Sequence, residues 1–360
     1  MDEKSRTLMR RSLTLVSTKG EDNLVVKETV VPAVGEEDVM IDVKFCGLNF
    51  AEASMRQGLY APMPPVPFVP GYECSGFVKE VGAAVKDIKT GDRVVALSDM
   101  GAWQDQLVLP QENCFVIPEN MSLEDAAAIP VNYVTAAIML FEQAVLKPGQ
   151  SVFVHMAAGG VGTAVGQLCK TVPDVTVFGT ASASKHEHCR AHGITCPIDY
   201  KTQDYAQVVK SSSFRGVDIM LDPVGGSDSS RSHSILKPLG KHIHYGGSSY
   251  VLGENLTFYG MYRALVNKLF SPTYDGFGLM DKNVMVGGLH VGKLVKDRAN
   301  FSIVRRNMES LVELYQEGKI KPVIDSIYPF EEVKEAMARI YQRKNIGKIL
   351  LRASPGSDGK

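Results

Sequence analysis

Apolar and polar positions alternate with a period near two along Val39-Met-Ile-Asp-Val-Lys-Phe-Cys46, the mark of a half-buried strand. Pro and Gly punctuate the same region at Ala61-Pro-Met-Pro-Pro-Val-Pro67, Pro70-Gly71 and Gly91-Asp92. Thr90-Gly-Asp-Arg-Val-Val-Ala-Leu97 reads as a turn entering a strand. Residues 24–110 are therefore expected to be all-β and barrel-like. The texture changes at Ser122-Leu-Glu-Asp-Ala-Ala-Ala-Ile129, where an N-cap residue and early acids predict a helix start. A second helix is expected over about 131–146. From Ser151 the pattern switches back and forth. Strands are predicted at 151–155, 175–178, 217–222 and 241–245, with helices at 160–171 and 184–192. Such βα alternation implies a parallel sheet covered on both faces. Helices over 301–317 and 331–343, an extended piece at 323–328 and a last strand at 347–351 follow. Residues 353–360 read as a frayed tail.

With 360 residues the chain has room for about two domains. Lys plus Arg number 39 and Asp plus Glu 40, a net charge of −1. So even a balance supplies no general attraction for nucleic acid, and none is expected as a partner. The longest apolar stretch, Val131–Phe141, ends at Glu142 and is far short of the roughly 20 residues a spanning helix needs. The first residues carry acids and no apolar core of a signal peptide. A cytoplasmic protein, with membrane contact at most peripheral, is the expectation. Six scattered cysteines without a CxxC argue for reduced thiols, not a disulfide framework.

The sharpest chemical signal is His155-Met-Ala-Ala-Gly-Gly-Val-Gly-Thr-Ala-Val-Gly-Gln-Leu168, set between a predicted strand and a predicted helix. Gly159 and Gly160 permit a tight turn and close approach to a pyrophosphate. Gly162 lets helix and sheet pack, and the N–H groups of the Gly160-Val161-Gly162 turn face the anion. Met156 stands where the first glycine of the fingerprint belongs. The second strand runs into Gly179-Thr-Ala-Ser-Ala-Ser-Lys185 with no acid before Glu187. A carboxylate about 4 Å from a ribose 2′-phosphate costs on the order of 4 kcal/mol. Ser182 and Lys185 would instead donate to that phosphate, so NADP(H) is predicted over NAD(H). The plainer reading makes Lys185 a solvated helix residue. Asp222-Pro-Val-Gly-Gly226 falls at the carboxyl end of a predicted strand, where ligands of such sheets bind, so Asp222 and Gly225 are cofactor candidates.

Cys46-Gly-Leu-Asn-Phe-Ala-Glu52, Arg56-Gln-Gly-Leu-Tyr60, Pro70-Gly-Tyr-Glu73, Gly91-Asp-Arg-Val94, the glycine turn, Asp222-Pro-Val-Gly-Gly226 and Asn345-Ile-Gly-Lys-Ile-Leu350 occur in order along nearly the whole chain. In these pieces the chain resembles the medium-chain dehydrogenase/reductase superfamily, in its zinc-independent quinone oxidoreductase branch. Phe178-Gly-Thr-Ala-Ser-Ala-Ser-Lys-His-Glu187, Val131-Asn-Tyr133 and Gly318-Lys-Ile-Lys-Pro-Val-Ile-Asp-Ser326 resemble, more narrowly, a vesicle-membrane subfamily of the vesicle-amine-transport type. The resemblance implies an α/β fold. A GroES-like β-barrel domain (1–129, completed by 291–360) would enclose a Rossmann doubly wound parallel-sheet domain (130–290). It implies a homodimer joined along an edge strand, Met285–Val291. It also implies hydride transfer from NADPH to a quinone or enone. Asn49 and Tyr60 would line the nicotinamide end as the catalytic residues, with Tyr200 near the 2′-phosphate and Gly246 and Asn345 along the cofactor. Zinc members carry Cys and His where this chain has Asn49 and Tyr72, and the four-cysteine structural lobe is missing, so no metal is expected at either place. The branch often has Tyr two residues before its Arg, and here that position is Ser54, too short to act as a phenol.

His186, His188, Cys189 and His192 are a weaker metal candidate than a solvated helix face. His155 reads as a buried, hydrogen-bonded histidine, and His242 and His244 receive no role. Leu256–Phe270 spaces Phe258, Met261, Tyr262, Leu265 and Leu269 as on one helix face, with Arg263 and Lys268 its only charges. It is read as a lid or packing helix, or else as an interfacial helix on a vesicle or mitochondrial surface. Two functions follow: an NADPH-dependent reductase, or a membrane-associated, lipid-interacting adaptor that keeps the cofactor fold.

Overall fold

The computed structural model describes residues 8–20, 22–60, 62–251, 253–254 and 258–353, without the side chains of 258–261, 263 and 264. The tail beyond residue 353 and Leu256 lie outside the described residues.

Among the described residues, fifteen strands form three sheets. β1 (Met9–Leu15) and β2 (Leu24–Val30) make an antiparallel pair. A mixed sheet runs β14 (Ile324–Pro329), β15 (Lys348–Arg352), β3 (Asp38–Leu48), β4 (Glu73–Val81), β5 (Arg93–Leu97), β7 (Cys114–Val116), with β6 (Gln106–Pro110) also on β3. β15 therefore pairs antiparallel with β3, Leu350 opposite Gly47, so segments about 300 residues apart in the chain build one sheet. The third sheet is wholly parallel, in the order β10 (Cys196–Asp199), β9 (Thr176–Ala181), β8 (Ser151–Val154), β11 (Val217–Asp222), β12 (Leu236–His244), β13 (Met285–Gly288). Strand order reverses beside β8, which opens a crevice at the carboxyl ends.

Local chemistry explains the predicted elements. Ser122 accepts the Asp125 N–H and caps Leu123–Ala128. The next helix begins on Pro130, where its missing N–H costs nothing, and its end widens to a π-turn over Ile138–Gln143. One reading needs correction: the first region is not all-β. Phe50–Arg56 is a helix, closed at its start by reciprocal capping between Asn49 and Glu52. Helices Tyr205–Ser211, Ser229–His233, Gly276–Lys282 and Val291–Lys296 were likewise unread, each five to seven residues long and too short to show a period. β13 is an edge strand but spans only Met285–Gly288 of the expected 285–291, because Val291 already opens a helix.

The two largest apolar clusters among the described residues back the two larger sheets. One fills the space between the parallel sheet and helices Pro130–Ala137, Gly160–Cys169 and Phe301–Gln316. The other, around Trp103 and Phe330, fills the β domain.

Candidate active site

Between the parallel sheet and the β domain lies a cleft of about 1010 Å³. Its floor at one end is the glycine turn. β8 ends at Val154, and Gly159 is the N-cap of helix Gly160–Cys169. Met156, where a glycine was expected, adopts φ 57, a left-handed conformation that costs an ordinary residue on the order of 1 kcal/mol. A Cβ on Gly162 would sit 2.6 Å from Ala157 Cα, so this glycine permits the strand–helix contact. A Cβ on Gly160 would sit 2.2 Å from Asn132 Nδ2, so its close approach is to a neighbouring side chain. Gly159, Gly160, Val161 and Gly162 all line the cleft. The first N–H groups of the helix have no intrahelical acceptor and suit an anion.

Ser182, Lys185, Tyr200, Gly246 and Asn345 also line the cleft. Lys185 is half-buried, and its ammonium donates to the carbonyls of Arg343 and Asn345, each 2.8 Å away. It thus ties the second strand's turn to the loop before β15. Burial lowers its pKa, with Asp325 opposing. Asn345 donates to the Gly347 carbonyl at 3.0 Å. Tyr200 is 48% exposed, just past β10.

Asp222 and Gly225 are not on the cleft wall, which is formed there by Pro223 and Val224. Asp222 is 1% exposed and accepts the N–H groups of Val224 (2.8 Å) and Gly225 (3.0 Å) and the Ser229 hydroxyl (2.8 Å). Gly225, at φ 65, closes that turn. In this structure both shape the loop behind the cleft, a correction to the cofactor contact expected of them.

Asn49 and Tyr60 both line the cleft on the β domain's side. Asn49 is buried in a polar network: its amide donates to Glu73 Oε1 at 3.0 Å, and its Oδ1 accepts from Lys348 Nζ at 2.6 Å. Lys348 also pairs with Glu73, whose other oxygen accepts the Val131 N–H at 2.7 Å. The ammonium thus sits between the side chains of Asn49 and Glu73. Glu52 packs beneath, and burial raises its carboxyl to about 8 despite Lys348.

Tyr60 Oη lies 2.9 Å from Tyr72 Oη and 2.9 Å from His290 Nε2. His290 caps helix Val291–Lys296, its Nδ1 accepting the Lys293 N–H at 3.1 Å. Burial lowers the His290 pKa, so the ring is neutral. With Nδ1 accepting, the proton of the neutral ring is on Nε2, which donates to Tyr60. Tyr72 donates too. The Tyr60 oxygen therefore receives two hydrogen bonds, and its own O–H remains to be offered to the cleft. Burial also raises the Tyr60 pKa, so the phenol keeps its proton. Ser54 lines the cleft but spends its hydroxyl on the Phe50 carbonyl at 2.9 Å.

Sequence reasoning missed His290 and Lys348 as site residues. His290 follows a strand of the parallel sheet, which was the available signal. His155 is as read: buried, neutral through burial, and hydrogen-bonded to Thr180 and Ser232 at 3.0 Å each. The rings of His188 and His192 stack at 4.2 Å, and burial pushes His188 down to about 4, so this face is less solvated than expected.

Sheet order, glycine turn and cleft together define a two-domain dehydrogenase/reductase architecture. The family profile of the alcohol dehydrogenase GroES-like domain matches residues 35–119, and that of zinc-binding dehydrogenases matches 192–351. Synaptic vesicle membrane protein VAT-1 homolog of Danio rerio is 45% identical over 97% of this chain and 71% of its own length. Quinone oxidoreductase-like protein 2 of Rattus norvegicus is 33% identical over 93% of this chain and 91% of its own. The crystal structure of human synaptic vesicle membrane protein VAT-1 homolog-like protein superposes with a TM-score of 0.83 at 40% identity, covering 97% of this chain and 99% of the other. That of Escherichia coli quinone oxidoreductase complexed with NADPH gives 0.80 at 26%, covering 96% and 100%. The chain belongs to the medium-chain dehydrogenase/reductase superfamily of oxidoreductases, in the group of the VAT-1 homologues. Among the described residues no helix is long and apolar enough to cross a membrane.

Proposed function

We propose that this chain is a zinc-independent, NADP(H)-dependent reductase of quinones or conjugated carbonyls. The observation that carries the reading is Tyr60, whose hydroxyl faces the cleft with its oxygen held by Tyr72 and His290. The glycine-turn N–H groups suit a pyrophosphate. Ser182, Tyr200 and the third N–H of Lys185 suit a 2′-phosphate, and no acid stands at the end of β9 to repel it. A nicotinamide bound there supplies the hydride. As charge develops on the acceptor's oxygen, Tyr60 donates its hydrogen bond or proton, and His290 and Tyr72 stabilise the phenolate left behind. Asn49 and Lys348 hold the wall beneath.

Zinc independence rests on the residues in the place where zinc members bind the metal. The Lys348 ammonium lies against Asn49 and Glu73, Tyr72 is committed to Tyr60, and a dication beside a buried ammonium is repelled.

The test combines NADPH and NADH dissociation constants with NADPH oxidation over a panel of quinones and enones. Tighter NADH than NADPH binding sinks the cofactor assignment. Tight NADPH binding without turnover on any acceptor favours the second reading, a membrane-associated adaptor. One surface observation supports that reading. Tyr262, Leu265, Leu269 and Phe270 are each more than half exposed, beside Phe277 and Met280. Leu265→Asp plus Phe270→Asp is expected to abolish pelleting with liposomes if this face inserts, and wild-type protein that stays in the supernatant removes it.

A further inference from the structure

We propose that Asp222, His242 and His244 form a binding site for a divalent cation of the zinc type, behind the cleft at the carboxyl ends of β11 and β12. The parallel register sets Asp222 opposite His244, and His242, two residues earlier, projects from the same face. Asp222 Oδ2 lies 3.4 Å from His242 Nε2 and 3.3 Å from His244 Nδ1. One ligand atom from each residue falls within 4.8 Å of the others, the one such group among the described residues.

Those separations fit metal ligation better than hydrogen bonding. A charge-assisted N–H···O contact closes to about 2.7–2.9 Å. Two donors at about 2.0–2.1 Å from a tetrahedral ion stand roughly 3.3 Å apart. The second observation is His242 itself: it is 0% exposed, and neither ring nitrogen has a hydrogen-bond partner. An orphaned buried imidazole nitrogen costs on the order of 1–3 kcal/mol, and an ion at Nε2 relieves it.

The surroundings are prepared for a cation. The Val224 and Gly225 N–H groups and the Ser229 hydroxyl orient the carboxylate, as supporting bonds do at metal centres. Tyr274 Oη stands 3.5 Å from His244 Nε2, on the far side of that ring from Asp222. Two imidazoles and one carboxylate leave a fourth position, and His244 lines the cleft, which gives it solvent access.

The site shares nothing with the Asn49–Lys348 end, and its test needs neither cofactor nor turnover. Full-length protein freed of metal with a chelator is titrated with Co²⁺ alone, then with Zn²⁺. Wild type is expected to take up one Co²⁺ per chain with visible bands of a four- or five-coordinate centre, which Zn²⁺ bleaches. His244→Gln, at a partly exposed ring, is expected to keep the wild-type circular dichroism and to weaken Zn²⁺ binding by about 100-fold or more. His188→Gln plus His192→Gln is expected to bind as wild type does. Absent bands in wild type, wild-type affinity in His244→Gln, or loss in the His188/His192 variant would each overturn the proposal.

Discussion

In the proposed reaction, Tyr60 is a donor only because of where its neighbours' protons lie. Tyr60→Phe keeps the ring and removes the O–H. Turnover is expected to fall on the order of 10²-fold while the NADPH dissociation constant stays within about twofold. Equal loss of both assigns the hydroxyl a packing role. The same geometry sets a pH dependence. Protonating His290 puts a second N–H on Nδ1, against the Lys293 N–H it now accepts. Since burial lowers this pKa, the acid limb of the rate profile is expected below the ordinary histidine range of about 6.5. His290→Gln should remove that limb.

Glu52 carries a residue-scale stability prediction. Its carboxyl is raised from 4.5 to about 8 by burial. Between those values the folded chain holds a proton that the unfolded chain has released, so stability falls as pH rises from about 4.5 to 8 and levels above it. Glu52→Gln removes this dependence and is expected to gain about 1 kcal/mol or more at pH 8 relative to pH 5, read from denaturation midpoints. Glu52 was legible in the sequence only as part of the family-like stretch Cys46–Glu52. The raised carboxyl was not, because it depends on what packs over Glu52.

At the scale of elements, the glycine turn was legible because strand, turn and helix are contiguous. Its glycines differ in kind, which spacing does not reveal. Gly162→Ala forces a Cβ to within 2.6 Å of the preceding turn's backbone. It is expected to cost about 1–3 kcal/mol and to weaken NADPH binding. Gly159→Ala meets only the Met156 carbonyl at 3.2 Å and is expected to be milder. Equal midpoints for the two in urea would refute that distinction. The short helices escaped the sequence reading for the opposite reason. Phe50–Arg56 completes barely two turns, and a period needs more than two repeats to show.

At the scale of the molecule, β13 bonds β12 on one side and ends the sheet, and Met285 on it is 53% exposed. An uncovered edge beside exposed Met280 and Phe277 is a pairing surface. We expect a dimer joined through this edge, which Met280→Asp plus Met285→Asp should dissociate in sedimentation velocity runs at micromolar concentration. A monomeric wild type, or an unshifted variant, counts against it.

By itself the sequence determined what local periodicity and local turns encode: the parallel βα alternation, the N-terminal strands, the glycine turn, and a second strand ending without an acid. Only the tertiary structure decided the site. Tyr60 meets His290 across 230 residues of chain, and Asn49 meets Lys348 across 299. Asp222 meets His242 and His244 through strand register alone. Periodicity reports which way a residue faces within its own element. The partner it faces is set when distant elements pack, and the shifted pKa values follow from that packing.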